Sequence, residues 1–227
     1  MTRADWLASA DPAAMLTYLH GRSSGRRRRL FAAGCCRRLW HLLGEPSRRA
    51  VETAEQYADG QVSLDVLWAA YLGAFALADA DPGWRAPGAE RARALAIYAA
   101  FNTAIPNSAS SYHRVALYAG RSAAQDGSGT GHAGAGEPAA QARLLRDICD
   151  NLFRPVDVQP SWLRWNDGTV PRLARAIYDG RRFGDLPVLA DALEEAGCAS
   201  ADLLGHCRGG GEHVRGCWAV DAVLENG

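Results

Sequence analysis

The chain has 227 residues with 25 basic and 25 acidic side chains, so its formal charge is zero, and every basic residue is an arginine. Without a lysine there is no Walker-type phosphate loop, no Schiff-base amine and no kinase strand lysine, which removes three large enzyme classes. The charge is unevenly spread: residues 1–50 hold ten arginines against Asp5, Asp11 and Glu45, a local +7, and the remainder carries the compensating −7.

A chain of this length can bury a core, as one domain or two small ones, and one compact unit is the expectation. The opening MTRADWLASADP lacks the apolar stretch of a secretory signal. The longest apolar run, Val66 to Ala78, is shorter than the ~20 residues a membrane helix needs. These features predict a soluble, cytoplasmic protein with no membrane contact, whose six cysteines are reduced thiols and not a disulfide frame.

Helix punctuation begins at once. Thr2 precedes a short apolar turn, and Asp11-Pro12 sets a capping residue before a first-turn proline, ahead of Met15, Leu16 and Leu19. Ser23 or Ser24 then caps a helix predicted to run to Gly44. On its face lie Phe31, Cys35, Cys36, Leu39, Trp40, Leu42 and Leu43, with Arg37, Arg38 and His41 opposite. His41 therefore does not converge with the cysteine pair, and adjacent cysteines lack the Cys-x-x-Cys spacing of chelating or redox sites, so both read as core. Arg26, Arg27, Arg28 and Arg29 open this helix, where positive charge opposes the helix dipole and an anionic partner, inside or outside the chain, relieves it. With Arg37 and Arg38 they are the candidate contacts for a nucleic acid or an acidic partner.

Ser47 reads as the cap of a helix ending at Gly60. The next, from Ser63 or Asp65 to Asp81-Pro82-Gly83, is apolar on most sides and is predicted to be central to the core. Pro87-Gly88 opens another, broken by Ile105-Pro106-Asn107. Ser108, Ser110 and Ser111 beside His113 sit in no Gly-x-Ser-x-Gly turn after a strand, so they read as helix caps and not as a hydrolase site. Residues 126–137 contain a glycine-rich, low-complexity stretch expected to be a mobile loop. Helix resumes at Glu137-Pro138, with Cys149 on its apolar face. An irregular segment carrying Trp162 and Trp165 follows, then helices capped by Thr169, Asp185 and Ser200. No segment alternates with period two. The predicted fold is all-α, a multi-helix bundle of roughly nine to twelve helices, with an N-terminal part over 1–125, the glycine-rich loop over 126–137 and a C-terminal part over 138–227.

The chemically dense stretch is HCRGGGEHVRGCWAVD, His206 to Asp221. A final helix starting before His213 puts His213 and Cys217 at i and i+4 on one stripe. If the glycine turn folds back the preceding helix, His206 or Cys207 joins them. The candidate metal ligands are thus His206, Cys207, His213 and Cys217, nitrogen and sulfur donors of the kind zinc prefers, with iron as the alternative, against packing as ordinary core. The glycine amides offer a second possibility, an anion nest formed by Gly210 and Gly211 between Arg208 and Arg215, with Glu212 available as a built-in anion. A thiol enzyme pairing Cys207 or Cys217 with His206 or His213 is a third. There is no His-Glu-x-x-His, no Glu-x-x-His and no glycine-rich strand-turn-helix. Glu52, Glu55 and Asp59 read as a solvated acidic face beside Arg48 and Arg49.

At LFAAGCCRRLWHLL, GTVPRLARAIYDGRRFGDLPVLADALEEAGC and HCRGGGEHVRGCWAVD the sequence resembles a large paralogous family of uncharacterised bacterial helical proteins. The resemblance covers most of the chain outside the glycine-rich stretch and implies a single intact unit; no activity is known for that family, so it implies no site residue. The functional expectation is a non-catalytic helical interaction or regulatory module with a protein partner. The alternatives are a metal-binding protein or thiol- or metal-dependent enzyme with a site over 206–217, and nucleic-acid binding through the arginine-rich N-terminal part.

Overall fold

A computed structural model describes residues 1–106, 111–126, 136–153 and 155–226. The described residues form thirteen α-helices and no β-strand, twelve of the helices being at least six residues long, so the all-α expectation holds. No helix among them is long and apolar enough to cross a membrane. Contacts divide the chain into two compact units, Met1–Leu145 and Arg146–Gly227, with the division inside a helix. Most of the glycine-rich stretch, 127–135, lies outside the described residues, as do Ser108 and Ser110.

In the first unit the punctuation works largely as expected. Helix α1 (Arg3–Ala8) starts with a reciprocal capping box between Thr2 and Asp5, and α2 (Pro12–Leu19) is capped by Asp11, which accepts from the Ala13 and Ala14 amides. Ser24 caps α3 (Gly25–Arg37), which ends nearly two turns short of the expected stop at Gly44 and gives way to a 3₁₀ turn, Trp40–Leu42. Helix α4 (Glu45–Ala58) begins before Ser47, because Pro46 takes the first turn and Gly44 the cap position; Ser47 is then fully buried with its hydroxyl unpartnered.

Helix α5 (Leu64–Ala80) departs from its predicted central place. Only Leu67, Ala74 and Ala78 are buried, while Val66, Trp68, Leu72 and Phe75 are 43–49% exposed. The central helix is α6 (Gly88–Ala104), which packs against α3, α4, α5 and α7 (Ser111–Gln125). The physical reason is side-chain size. A helix whose inward positions are Ala92, Ala96, Ala99 and Ala100 lets several neighbours approach closely, so the bulky residues of α5 are left outside. Arg38 and the fully buried Glu137, at the start of α8 (Glu137–Cys149), form an ion pair at 3.0 Å within this unit.

The second unit begins with the end of α8 and adds α9 (Pro160–Arg164), α10 (Thr169–Gly180), α11 (Leu186–Glu195), α12 (Ala201–Arg208) and α13 (Trp218–Leu224). Its core is continuous, with Val170, Ile177 and Tyr178 of α10 packed with Leu189 and Leu193 of α11, Leu203 and Cys207 of α12 and Val220 of α13. The chain enters α10 through Asn166, Asp167 and Gly168, all at positive φ. Asn, Asp and Gly are the residues that tolerate this conformation best, which explains why helix initiation falls after this tripeptide.

Candidate functional site

The segment after α12 is not helical. From Gly209 to Cys217 the chain is irregular, so His213 and Cys217 do not share a helical stripe as the sequence spacing predicts. Two features prevent helix there: Gly216 has φ +90°, and the Val214 amide donates to Asp147 Oδ2 at 3.0 Å. Asp147, in the last turn of α8 and almost fully buried, thus pins the loop.

The pinned loop brings His213 and Cys217 to the side chain of His206. Asp147 Oδ1 lies 2.6 Å from His213 Nδ1 and 3.2 Å from His206 Nε2. Cys217 Sγ lies 3.2 Å from His206 Nε2 and 3.9 Å from His213 Nδ1. One donor atom from each of these four residues falls within 4.8 Å of all the others. Three of the four predicted ligands therefore meet. Cys207 does not; it faces the apolar core, fully buried, and burial above all pushes its thiol up to about 12. Successive helical residues point about 100° apart, so His206 and Cys207 cannot both face one point.

Asp147 is the member that sequence reasoning missed. The signal was present: it lies in the apolar stripe of α8 with Ala140, Leu144 and Ile148, all fully buried, a place where a carboxylate needs partners. Burial opposes its ionisation, but the hydrogen bonds from His206 and His213 outweigh this and hold its pKa below the usual value. Burial likewise opposes protonation of His213; the hydrogen bond to Asp147, its charge and the Gly209 carbonyl, 3.3 Å from Nε2, together raise the pKa. Both ring nitrogens of His213 face acceptors, the Asp147 carboxylate and the Gly209 carbonyl, which favours the protonated ring.

The contacts of Cys217 and His206 differ from the usual geometry of a thiol enzyme. In such a site the acid orients the histidine through the nitrogen remote from sulfur. Here Asp147 meets His206 at the same nitrogen as Cys217, and the other, Nδ1, accepts from the Trp218 indole at 3.1 Å. Cys217 is also fully buried, and burial raises its thiol well above the ordinary value.

Most of the other predicted contacts are engaged within the chain. Arg208 pairs with Asp191 and Glu194 of α11, and the Arg215 guanidinium lies over the Tyr178 ring, while Gly210 and Gly211 are exposed. In the first unit Arg26 pairs with Asp59, Arg37 with Glu55, and Arg38 with Glu137. Arg27 is half-buried, and Arg28 and Arg29 donate to backbone carbonyls, so the six arginines do not form one exposed stripe. Cys35 and Cys36 are fully buried, and His41 pairs with Asp126 at 2.8 Å, away from them.

No family model, curated protein or solved structure matches the chain, so its function is read from its own geometry.

Proposed function

We propose that the C-terminal unit is a zinc-stabilised helical module whose metal is held by Asp147, His206, His213 and Cys217. The observation that carries this reading is the convergence of one carboxylate oxygen, two imidazole nitrogens and one sulfur within 4.8 Å. In a tetrahedral site with bonds of about 2.0–2.3 Å, neighbouring donors stand roughly 3.3–3.8 Å apart. Four of the six donor pairs stand at 2.6, 3.2, 3.2 and 3.9 Å, on either side of that range, and all lie within 4.8 Å, so a bound metal would draw the donors into place. A mixed nitrogen, oxygen and sulfur set at tetrahedral spacing favours zinc.

The surroundings support three of the ligands directly. Asp147 keeps Oδ2 on the Val214 amide, His213 keeps Nε2 on the Gly209 carbonyl, and the Ala219 and Val220 amides favour a thiolate at Cys217. His206 differs, because a metal on Nε2 shifts its ring proton to Nδ1, where the indole N–H already points. Loading this ligand displaces the Trp218 indole. Zinc is expected to change tryptophan emission in the wild type and to leave it unchanged in Trp218→Phe; equal changes in both would remove His206 from the ligand set.

Burial favours a structural role. The four side chains are at most 18% exposed, and with all four positions filled by protein no site remains for substrate. The test is the metal content of protein purified without chelator, beside a His213→Ala, Cys217→Ala variant. Equimolar zinc lost in the variant is expected; a metal-free wild type that does not take up added zinc would overturn the reading.

The outer face of α5 supports a second role, that of an interaction module in the N-terminal unit. Trp68, Leu72 and Phe75 are exposed within one sector of about 60° on α5, with Tyr71 stacked against Phe75 at 5.9 Å. Sedimentation over a concentration series is expected to show self-association that Leu72→Glu with Phe75→Glu abolishes. A wild type that stays monomeric throughout would contradict it.

A further inference from the structure

A second place in the chain, unrelated to the metal cluster, combines a cavity with uncompensated positive charge. At the start of α3 a cavity of about 400 Å³ is lined by Gly25, Arg26, Arg28 and Arg29 and walled by Tyr57 and Tyr112. Three guanidiniums meet one carboxylate there. Arg26 is paired with Asp59 at 3.0 Å. Arg28 donates to the Ser23 carbonyl at 2.7 Å and lies over the Tyr112 ring. Arg29 donates to the Thr103 carbonyl at 2.8 Å and to the Ile105 carbonyl at 3.3 Å, and lies over the Tyr57 ring. Among the described residues neither Arg28 nor Arg29 has a carboxylate partner.

Backbone carbonyls orient a guanidinium without neutralising it, and burial is the main reason the Arg29 pKa is drawn below its ordinary value. The first amides of α3 add the positive end of a 13-residue helix to the same place. A separate observation also indicates a missing partner. Tyr112 is 2% exposed, lines the cavity, and has a buried hydroxyl with no hydrogen-bond partner. A buried hydroxyl left unpaired is costly, and a site that binds oxygen-rich ligands is one place where that cost is recovered.

We propose that this cavity binds the phosphate group of a small phosphate monoester. Three arginines and one aspartate leave a net charge of +2, matching a phosphate dianion. The two tyrosine rings and the cavity volume accommodate the organic group that the phosphate carries. Arg28 and Arg29 act as the charged donors and the first amides of α3 as neutral donors, and a shift of the Tyr112 ring on binding brings its buried hydroxyl to the ligand as a further donor.

The test is calorimetric titration of the full chain with phenyl phosphate and, separately, inorganic phosphate, for the wild type, Arg28→Gln and Tyr112→Phe. Phenyl phosphate is expected to bind saturably, and each substitution to weaken it by about tenfold or more. Tyr112→Phe carries the sharper sign. It removes an unpaired hydroxyl, so the ligand-free variant should be at least as stable as the wild type while binding more weakly. No saturable binding of either probe, or binding that both substitutions leave unchanged, would overturn the assignment. Inorganic phosphate binding as tightly as phenyl phosphate would reject the monoester and leave only a site for the free anion.

Discussion

Asp147→Ala is expected to lower the unfolding free energy of the metal-free protein by about 3–5 kcal/mol, the usual cost of removing one partner of a buried ion pair. The size follows from what the carboxylate holds. One oxygen accepts from both His213 and His206, and the other accepts from the Val214 amide, which keeps the loop before α13 out of helix. Removing it leaves His213 and the half-buried Val214 amide without their acceptor. Asp147→Asn keeps the shape and loses the charge, so it should cost less while still abolishing zinc binding. Urea denaturation of the three proteins measures both steps. A cost within about 0.5 kcal/mol for Asp147→Ala, the size of an ordinary surface substitution, would mean that Asp147 does not organise this unit.

Metal and protons are expected to pull stability in opposite directions with pH. In the metal-free protein His213 has a raised pKa, so its contribution is fully present below its ordinary value of 6.5 and is lost as the pH rises through the raised folded value. Asp147 has a lowered pKa, so its contribution is present above its ordinary value of 3.8 and is lost as the pH falls through the lowered folded value. Metal-free stability should therefore plateau between these limits and decline on the alkaline side. Zinc reverses the alkaline limb, because it replaces the protons of His213 and Cys217 and binds more tightly as those protons become easier to remove. Free zinc at 100 times its dissociation constant should add about 2.7 kcal/mol. Thermal melts across pH, with chelator and with zinc, should diverge as the pH rises. Parallel curves would contradict metal binding at these residues.

Helix boundaries were legible where the cap is a side chain. Thr2 with Asp5, Asp11, Ser24, Ser63 and Ser200 all cap as their positions imply. Burial was less legible, because hydrophobicity marks what prefers the interior without saying which helix fits there. Apolar α5 lies at the surface, and alanine-rich α6, whose sequence opens with charged residues, occupies the centre. At the cluster of Asp147, His206, His213 and Cys217 the residue types were readable, except for Asp147, and the geometry was not. His213 and Cys217 meet through a glycine-containing loop instead of a helical stripe, and the residue that enforces this, Asp147, comes from far upstream in the sequence. Contacts so distant in sequence are set by tertiary packing, which local spacing does not encode. The cavity at α3 was half legible: the arginine run announced a need for anions, but the backbone carbonyls that hold Arg28 and Arg29 in place appear only in the fold.

The most direct measurement is a cobalt titration of the metal-free chain, followed by absorption spectroscopy and back-titration with zinc, in the wild type and in Cys217→Ser. One equivalent of cobalt giving a tetrahedral spectrum with a sulfur-to-metal charge-transfer band, displaced by one equivalent of zinc and without that band in Cys217→Ser, is the predicted result. A wild type that gives no tetrahedral spectrum, or one whose band survives in Cys217→Ser, would contradict a site built from Asp147, His206, His213 and Cys217.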